Sequence, residues 1–152
     1  LIGYQYLANK AFAFASEKLR DDYDFVLKVI SAEEDMCLFD NTLENHRKNV
    51  LEYVSPKLRN NRSIVLAAVK KNGWALKFAS DKFKNDKELV LAAVQNNGWA
   101  LEHAGEILKQ DEEVVLAAVK SCGLVLEHAS EELEFNPNFV RKAISCNGLA
   151  LK

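Results

Sequence analysis

Cysteine, proline, methionine and glycine are scarce in this chain of 152 residues, with three, two, one and six copies. The cysteines, Cys37, Cys122 and Cys146, are an odd number without framework spacing, and none sits in a CxxC pair. That excludes a disulfide miniprotein and leads us to expect reduced thiols in a cytosolic protein. No apolar run approaches the ~20 residues a membrane helix needs, and no signal peptide is visible. Positive charge is not in excess. Lys and Arg number 20 against 22 Asp and Glu, a net charge of −2, which argues against a general nucleic-acid binder. P-loop, dinucleotide, G-x-S-x-G and H-E-x-x-H patterns are all missing. What remains is 49% apolar and 28% charged, the composition of a globular domain with a real core. A domain of this size buries roughly 68–70% of its unfolded surface. The chain starts at Leu1, carries its one Met at Met36 and stops partway through a motif at Lys152. It reads as an excerpt of a larger protein.

Internal repetition dominates the sequence. Gly73, Gly98, Gly123 and Gly148 are 25 residues apart, as are Val65, Val90, Val115 and Val140. "IVLAAVKKNGWALKFAS" recurs as "LVLAAVQNNGWALEHAG" and "VVLAAVKSCGLVLEHAS", then as the decayed "FVRKAISCNGLALK". Val26 and Val65 are 39 residues apart, so one earlier unit carries 14 extra residues, within about 31–49. The whole chain, 1–152, is a single repeat domain. It divides into a partial unit 1–21, a unit with an insertion 22–60, units 61–85, 86–110 and 111–135, and a truncated unit 136–152.

Each unit opens after Asp22, Asn61, Asp86, Asp111 or Asn136, side chains that accept hydrogen bonds from free amides at a helix start. Pro137 follows Asn136, at the favoured first helical position. The four repeated glycines, with Asn9 in the first unit, mark the stop. A glycine there suits a left-handed cap, so positive φ is expected at Gly73, Gly98, Gly123 and Gly148. Start and stop together predict a helix of about 11 residues. "LVLAAV" alone could be a buried strand of a leucine-rich horseshoe. The caps, the paired alanines and the absent L-x-x-L-x-L-x-x-N spacing favour helix. Apolar residues all round such a helix predict burial between neighbours on both sides.

The second half of the unit, "WALEHA" then "GEIL", places Leu101, Ala104 and Leu108 on one helical stripe. Ser16, Ser55, Ser80, Gly105 and Ser130 follow the position of its alanine, which is Val54 before Ser55, and Pro56 follows Ser55. Proline inside a helix clashes but fits a first turn. A short second helix, then a capped extra turn, is therefore expected. Such units cannot bury their apolar faces alone, and stacking supplies the shared core. The predicted fold is all-α: a short, curved α-solenoid of helix-pair repeats of about 25 residues. Asn41 and Glu44 in "NTLE" match a capping box.

The segment "D-x-E-V-V-L-A-A-V-K-x-x-G-x-x-L-E-H-A-S-E-E-L" at 111–133 resembles the repeat catalogued as domain of unknown function four-one-one-six. The likeness is close over 61–152 and looser over 1–60, where the Ala-Ala pair is missing. The resemblance implies a helical repeat within a larger protein, some relatives being candidate effectors acting inside a host cell. It implies no reaction, cofactor or active-site residue.

Few residues suggest chemistry. His103 and His128 lie one period apart with Cys122 between them, which could approach a zinc site or a Cys–His pair only if the loop folds inward. Phe14, Tyr53, Phe78, His103 and His128 share one repeat position, which favours a half-buried ring ladder. Trp74 and Trp99 align with Leu124 and Leu149, an apolar socket rather than an exposed hot spot. Glu112–Glu113 and Glu131–Glu132 suit the positive end of a helix dipole better than acid–base work.

Charge is the informative surface feature. Residues 1–45 carry net −5, 46–87 net +8, 88–135 net −8 and 136–152 net +3. Lys77 becomes Glu102 and Glu127, and Lys82 becomes Glu132, on a recurring framework. Neighbouring units could neutralise one another, or a dipolar surface could orient a charged partner. The expected function is a non-enzymatic protein–protein interaction scaffold without cofactor or membrane contact. Lys70, Lys71, Lys77, Phe78 and Lys82 would form its basic end, and Glu102, His103, Glu127 and His128 its acidic end. The rivals are nucleic-acid binding through 47–87 and an enzyme whose catalytic domain lies outside the excerpt. Against the first, Glu102 and Glu127 interrupt any basic track.

Overall fold

A computed structural model describes residues 14–32 and 49–148. Asn9, Cys37, Leu149, most of the insertion and the Asn41–Glu44 pattern lie outside the described residues.

Among the described residues every regular element is helical. The complete units share one plan: a ten-residue α-helix, a six-residue 3-10 helix and a four-residue α-helix. The long helices are Tyr23–Ala32, Arg62–Lys71, Lys87–Asn96, Glu112–Ser121 and Pro137–Cys146. Each packs against the next, and so do the 3-10 helices Gly73–Phe78, Gly98–His103 and Gly123–His128. Contacts therefore run between consecutive units, as in a repeat stack.

The predicted starts are where the caps form. Asp111 Oδ1 accepts from the amides of Glu113, at 3.0 Å, and Val114, at 3.3 Å. Asn61, Asp86 and Asn136 do the same, and Asp22 accepts from Phe25. Pro137 and Pro56 occupy first turns. The core follows: Leu89, Val90, Ala93 and Val94, with their counterparts in the flanking units, are fully buried. Burial is not uniform round the helix, however. Leu91 and Ala92 are half-buried, as are Leu66, Ala67, Leu116 and Ala117. The units before and after cover an inner helix on two sides, and the side that carries these residues is only partly covered.

The helix stops differ from the expectation. Neither Gly73 nor Gly98 nor Gly148 takes the left-handed conformation. The four long helices from Arg62–Lys71 onward each end one residue earlier, on an extended residue such as Asn72, with φ −145 and ψ 110. The Asn72 side chain then accepts from the amide of Trp74 at 3.0 Å, so one asparagine closes one helix and opens the next. Asn97 repeats this with Trp99 at 3.1 Å. The glycine is needed for proximity instead. A Cβ on Gly73 would run into the Ala93 carbonyl, and one on Gly98 would stand 2.5 Å from the Ala118 carbonyl. A Cβ on Gly148 would meet nothing within 4 Å among the described residues. The glycine amides are held across the same seam. Gly73 donates to Asn96 Oδ1 at 2.8 Å, and Gly98 to Ser121 Oγ at 3.0 Å.

The second helix is a 3-10 turn followed by a separate four-residue α-turn, not one α-helical stripe. Leu101, Ala104 and Leu108 are all buried, but they belong to the 3-10 helix, its extended C-cap and the short α-helix in turn. Ser16 and Ser55 cap their short helices by side-chain hydrogen bonds, whereas Ser80 and Ser130 do not. Units are also tied here. Gly105 N–H donates to the Lys84 carbonyl at 2.8 Å, and Ser130 N–H to that of Lys109 at 3.0 Å.

Candidate interaction surface

Two sets of charges emerge from the stack, and they behave differently. The first lies at the N-terminal rim of the long helices. Arg62 reaches Asp86 at 3.0 Å and Glu88 in the next unit. Lys87 repeats the move, reaching Asp111 at 2.7 Å and Glu113 at 2.8 Å. The Lys87 ammonium, aided by the Val114 and Glu113 amides, holds the Asp111 carboxyl below its usual range against the opposing effect of burial. For Asp86, burial pushes upward, but Arg62 and the capping amides together outweigh it. Lys142 takes Glu112 at 3.0 Å. These charges neutralise one another between units.

The second set lies on the 3-10 helices. Lys77, Glu102 and Glu127 occupy one repeat position, and all are exposed. Among the described residues no ion pair joins Lys77 to Glu102. Beneath them Phe78, His103 and His128 are half-buried. The structure thus brings seven of the nine predicted surface residues, Lys82 included, onto the 3-10 helices and the short helices after them. Lys70 and Lys71 lie elsewhere, exposed in the last turn of the Arg62–Lys71 helix. Asn96 Nδ2 donates to the Lys70 carbonyl at 3.1 Å. The Lys77 ammonium is 5.9 Å from the Phe78 ring centre, and that of Lys82 is 4.5 Å from the Phe83 ring centre.

The rings are staggered rather than stacked like on like. Trp74 meets His103 of the next unit at 5.3 Å, and Trp99 meets His128 at 5.5 Å. Phe14 does not join a half-buried ladder, being 80% exposed. Trp74 and Trp99 each form one wall of the following unit's ring site, and at the equivalent position Leu124 is 43% exposed. Nε2 of both His103 and His128 is buried without a hydrogen-bond partner. Burial lowers the pKa of His103. Glu102 opposes that shift, and Lys77, Lys84 and Lys109 add to it.

Among the described residues no group of three His, Cys, Asp or Glu side chains is placed to hold a metal ion. Cys122 and Cys146 are free thiols. No described helix is long and apolar enough to cross a membrane. Glu113 lines an open groove with Leu91, Leu116 and Lys120. Ile107, 75% exposed on its short helix, went unread in the sequence. The signal was there, because it stands where the flanking units carry Lys82 and Glu132.

A family model described as Domain of unknown function (DUF4116) matches residues 43–84, 61–109 and 111–152. No curated protein and no solved structure matches the chain.

Proposed function

The chain belongs to the family described as Domain of unknown function (DUF4116), and from that premise we propose that it is a non-enzymatic scaffold for protein–protein interaction. One observation carries the reading. The buried framework repeats from unit to unit, while the exposed position above each half-buried ring changes sign, from Lys77 to Glu102 and Glu127. The rim charges of Arg62 and Lys87 are spent between units, whereas the row on the 3-10 helices is left to face a partner. Complementary charge of this kind steers encounter and fixes register more than it supplies affinity. The working surface is Lys77, Phe78, Lys82, Glu102, His103, Glu127 and His128, with Lys70 and Lys71 as an outlying basic pair. No cofactor enters the mechanism. The setting is the interior of a cell, in keeping with the free thiols Cys122 and Cys146. If the chain acts as a secreted effector, that cell is a host.

Nucleic-acid binding through 47–87 is the rival. Neutralising n phosphates makes log K fall with log salt at a slope near −0.7n for single strands and −0.9n for duplex DNA. Glu102 and Glu127 oppose phosphate within about one Debye length, ~8 Å at physiological salt. Titrating the chain with labelled RNA and DNA at that salt tests the choice. The scaffold reading expects nothing tighter than the ~10⁻⁴–10⁻⁶ M non-specific range. A sub-micromolar complex that is lost on Lys70→Glu with Lys71→Glu overturns it.

A further inference from the structure

Equivalent positions recur at one step per unit, so each exposed position forms a row across the stack. On the short helices one row reads Lys57, Lys82, Ile107, Glu132, and all four are exposed. On the 3-10 helices the parallel row reads Lys77, Glu102, Glu127. In both rows the unit before 86–110 presents Lys, and the unit after it presents Glu. Between Lys82 and Glu132 stands Ile107, 75% exposed. Among the described residues neither Glu132 nor Lys82 has an ion-pair partner, and Glu127 faces only His128 Nε2, at 3.8 Å. Two other charges on this face are matched within their own units: Lys84 with Asp81 at 3.2 Å and Lys109 with Glu106 at 2.9 Å.

A row of the form plus, apolar, minus is complementary to itself. A two-fold axis through its centre carries one step forward onto one step back, which is the condition for an isologous contact. We propose that a second copy of this chain docks on this face about a two-fold axis at Ile107. Ile107 then meets its own counterpart. Lys82 meets the partner's Glu132, Lys77 meets the partner's Glu127, and both pairs occur twice. The same axis sets Glu102 against the partner's Glu102, a like-charged contact that opposes association. The proposal rests on the reading of this face as an interaction surface, and it names the occupant.

Sedimentation equilibrium of the intact chain tests it, across concentration and across salt. The expected result is a monomer–dimer equilibrium that weakens as salt rises, since these pairs are exposed and screened. Lys82→Glu alone, Glu132→Lys alone and Ile107→Lys should each raise Kd at least tenfold. Lys82→Glu combined with Glu132→Lys should restore the dimer, because every new Glu then faces a new Lys. Glu102→Gln should tighten it. The altered side chains are solvent-facing, and an unchanged thermal melt checks that each variant folds. A chain that stays monomeric to millimolar concentration overturns the proposal, as does a dimer indifferent to the single changes or not rescued by the swap. If the monomer still captures other proteins through Lys77, Glu102 and Glu127, the scaffold reading stands and only the second copy falls.

Discussion

Gly98 faces the carbonyl oxygen of Ala118 in the next unit, so closely that a Cβ would stand 2.5 Å from it. The repeated glycine is therefore a contact between units, and Gly148, where an added Cβ would meet nothing within 4 Å among the described residues, is its built-in control. Gly98→Ala should destabilise by about 1–3 kcal/mol, as overpacking does. Gly148→Ala should be near neutral. Denaturant midpoints at constant slope make the comparison. Equal losses at both sites would point back to a left-handed cap.

Asp111 joins two units through one carboxylate, capping its own helix and receiving Lys87 from the unit before. Asp111→Ala should cost about 1 kcal/mol, the usual value of a lost cap. Asp111→Asn keeps the acceptor, as Asn136 does naturally, and should cost less. Because its folded pKa is lowered, the carboxylate's contribution is complete above the unfolded value, about 3.9. It disappears as pH falls through the folded value. Acid titration of stability should show that loss in the wild type and not in the Asn variant. An Asn variant as damaged as the Ala variant would refute the cap.

His103 titrates in the opposite chemical sense but with the same direction in pH. Burial lowers its folded pKa below the ordinary histidine value, about 6.5, so the unfolded chain takes up its proton first. Stability tied to the neutral ring is complete above that value and is lost as pH falls from it towards the folded value. His103→Phe places at this site the residue that Phe78 supplies one unit earlier. It removes the orphaned Nε2 and should flatten the melting temperature between pH 7.5 and 5.5. A variant with the wild-type pH slope would exonerate His103.

Stability should be indifferent to chelator and to reductant, since Cys122 and Cys146 are free and Cys37 has no framework partner in the spacing. Thermal melts with and without EDTA and dithiothreitol check this. A stoichiometric metal, or a melt lowered by either reagent, would contradict it.

The framework was legible because it depends on local rules repeated several times. Asp or Asn before each helix, Pro137 and Pro56 at first turns, and the 25-residue step all report local backbone chemistry, and the helices formed where those signals lie. The glycines were misread because a helix-ending glycine and a glycine demanded by a neighbouring carbonyl look alike in one sequence. Only the position of Ala118 tells them apart. The 3-10 geometry of Gly98–His103 was hidden for a similar reason, since Leu101, Ala104 and Leu108 are buried whichever helix type carries them. Ring stagger was beyond reach, because Trp74 and His103 lie in different units and alignment compares like with like. At the surface, equivalent charges could be counted, but not which were consumed. Arg62 and Lys87 proved to be tied to the next unit, whereas Lys77 and Glu102 are not.

The row Lys77, Glu102, Glu127 is the heart of the functional account, and affinity capture from cell extract with quantitative mass spectrometry tests it most directly. The intact chain is compared with Lys77→Glu, Glu102→Lys, Glu127→Lys in combination, at matched folding. The account predicts a protein retained by the wild type at physiological salt and lost from the variant. The same proteins retained equally by both chains would contradict it.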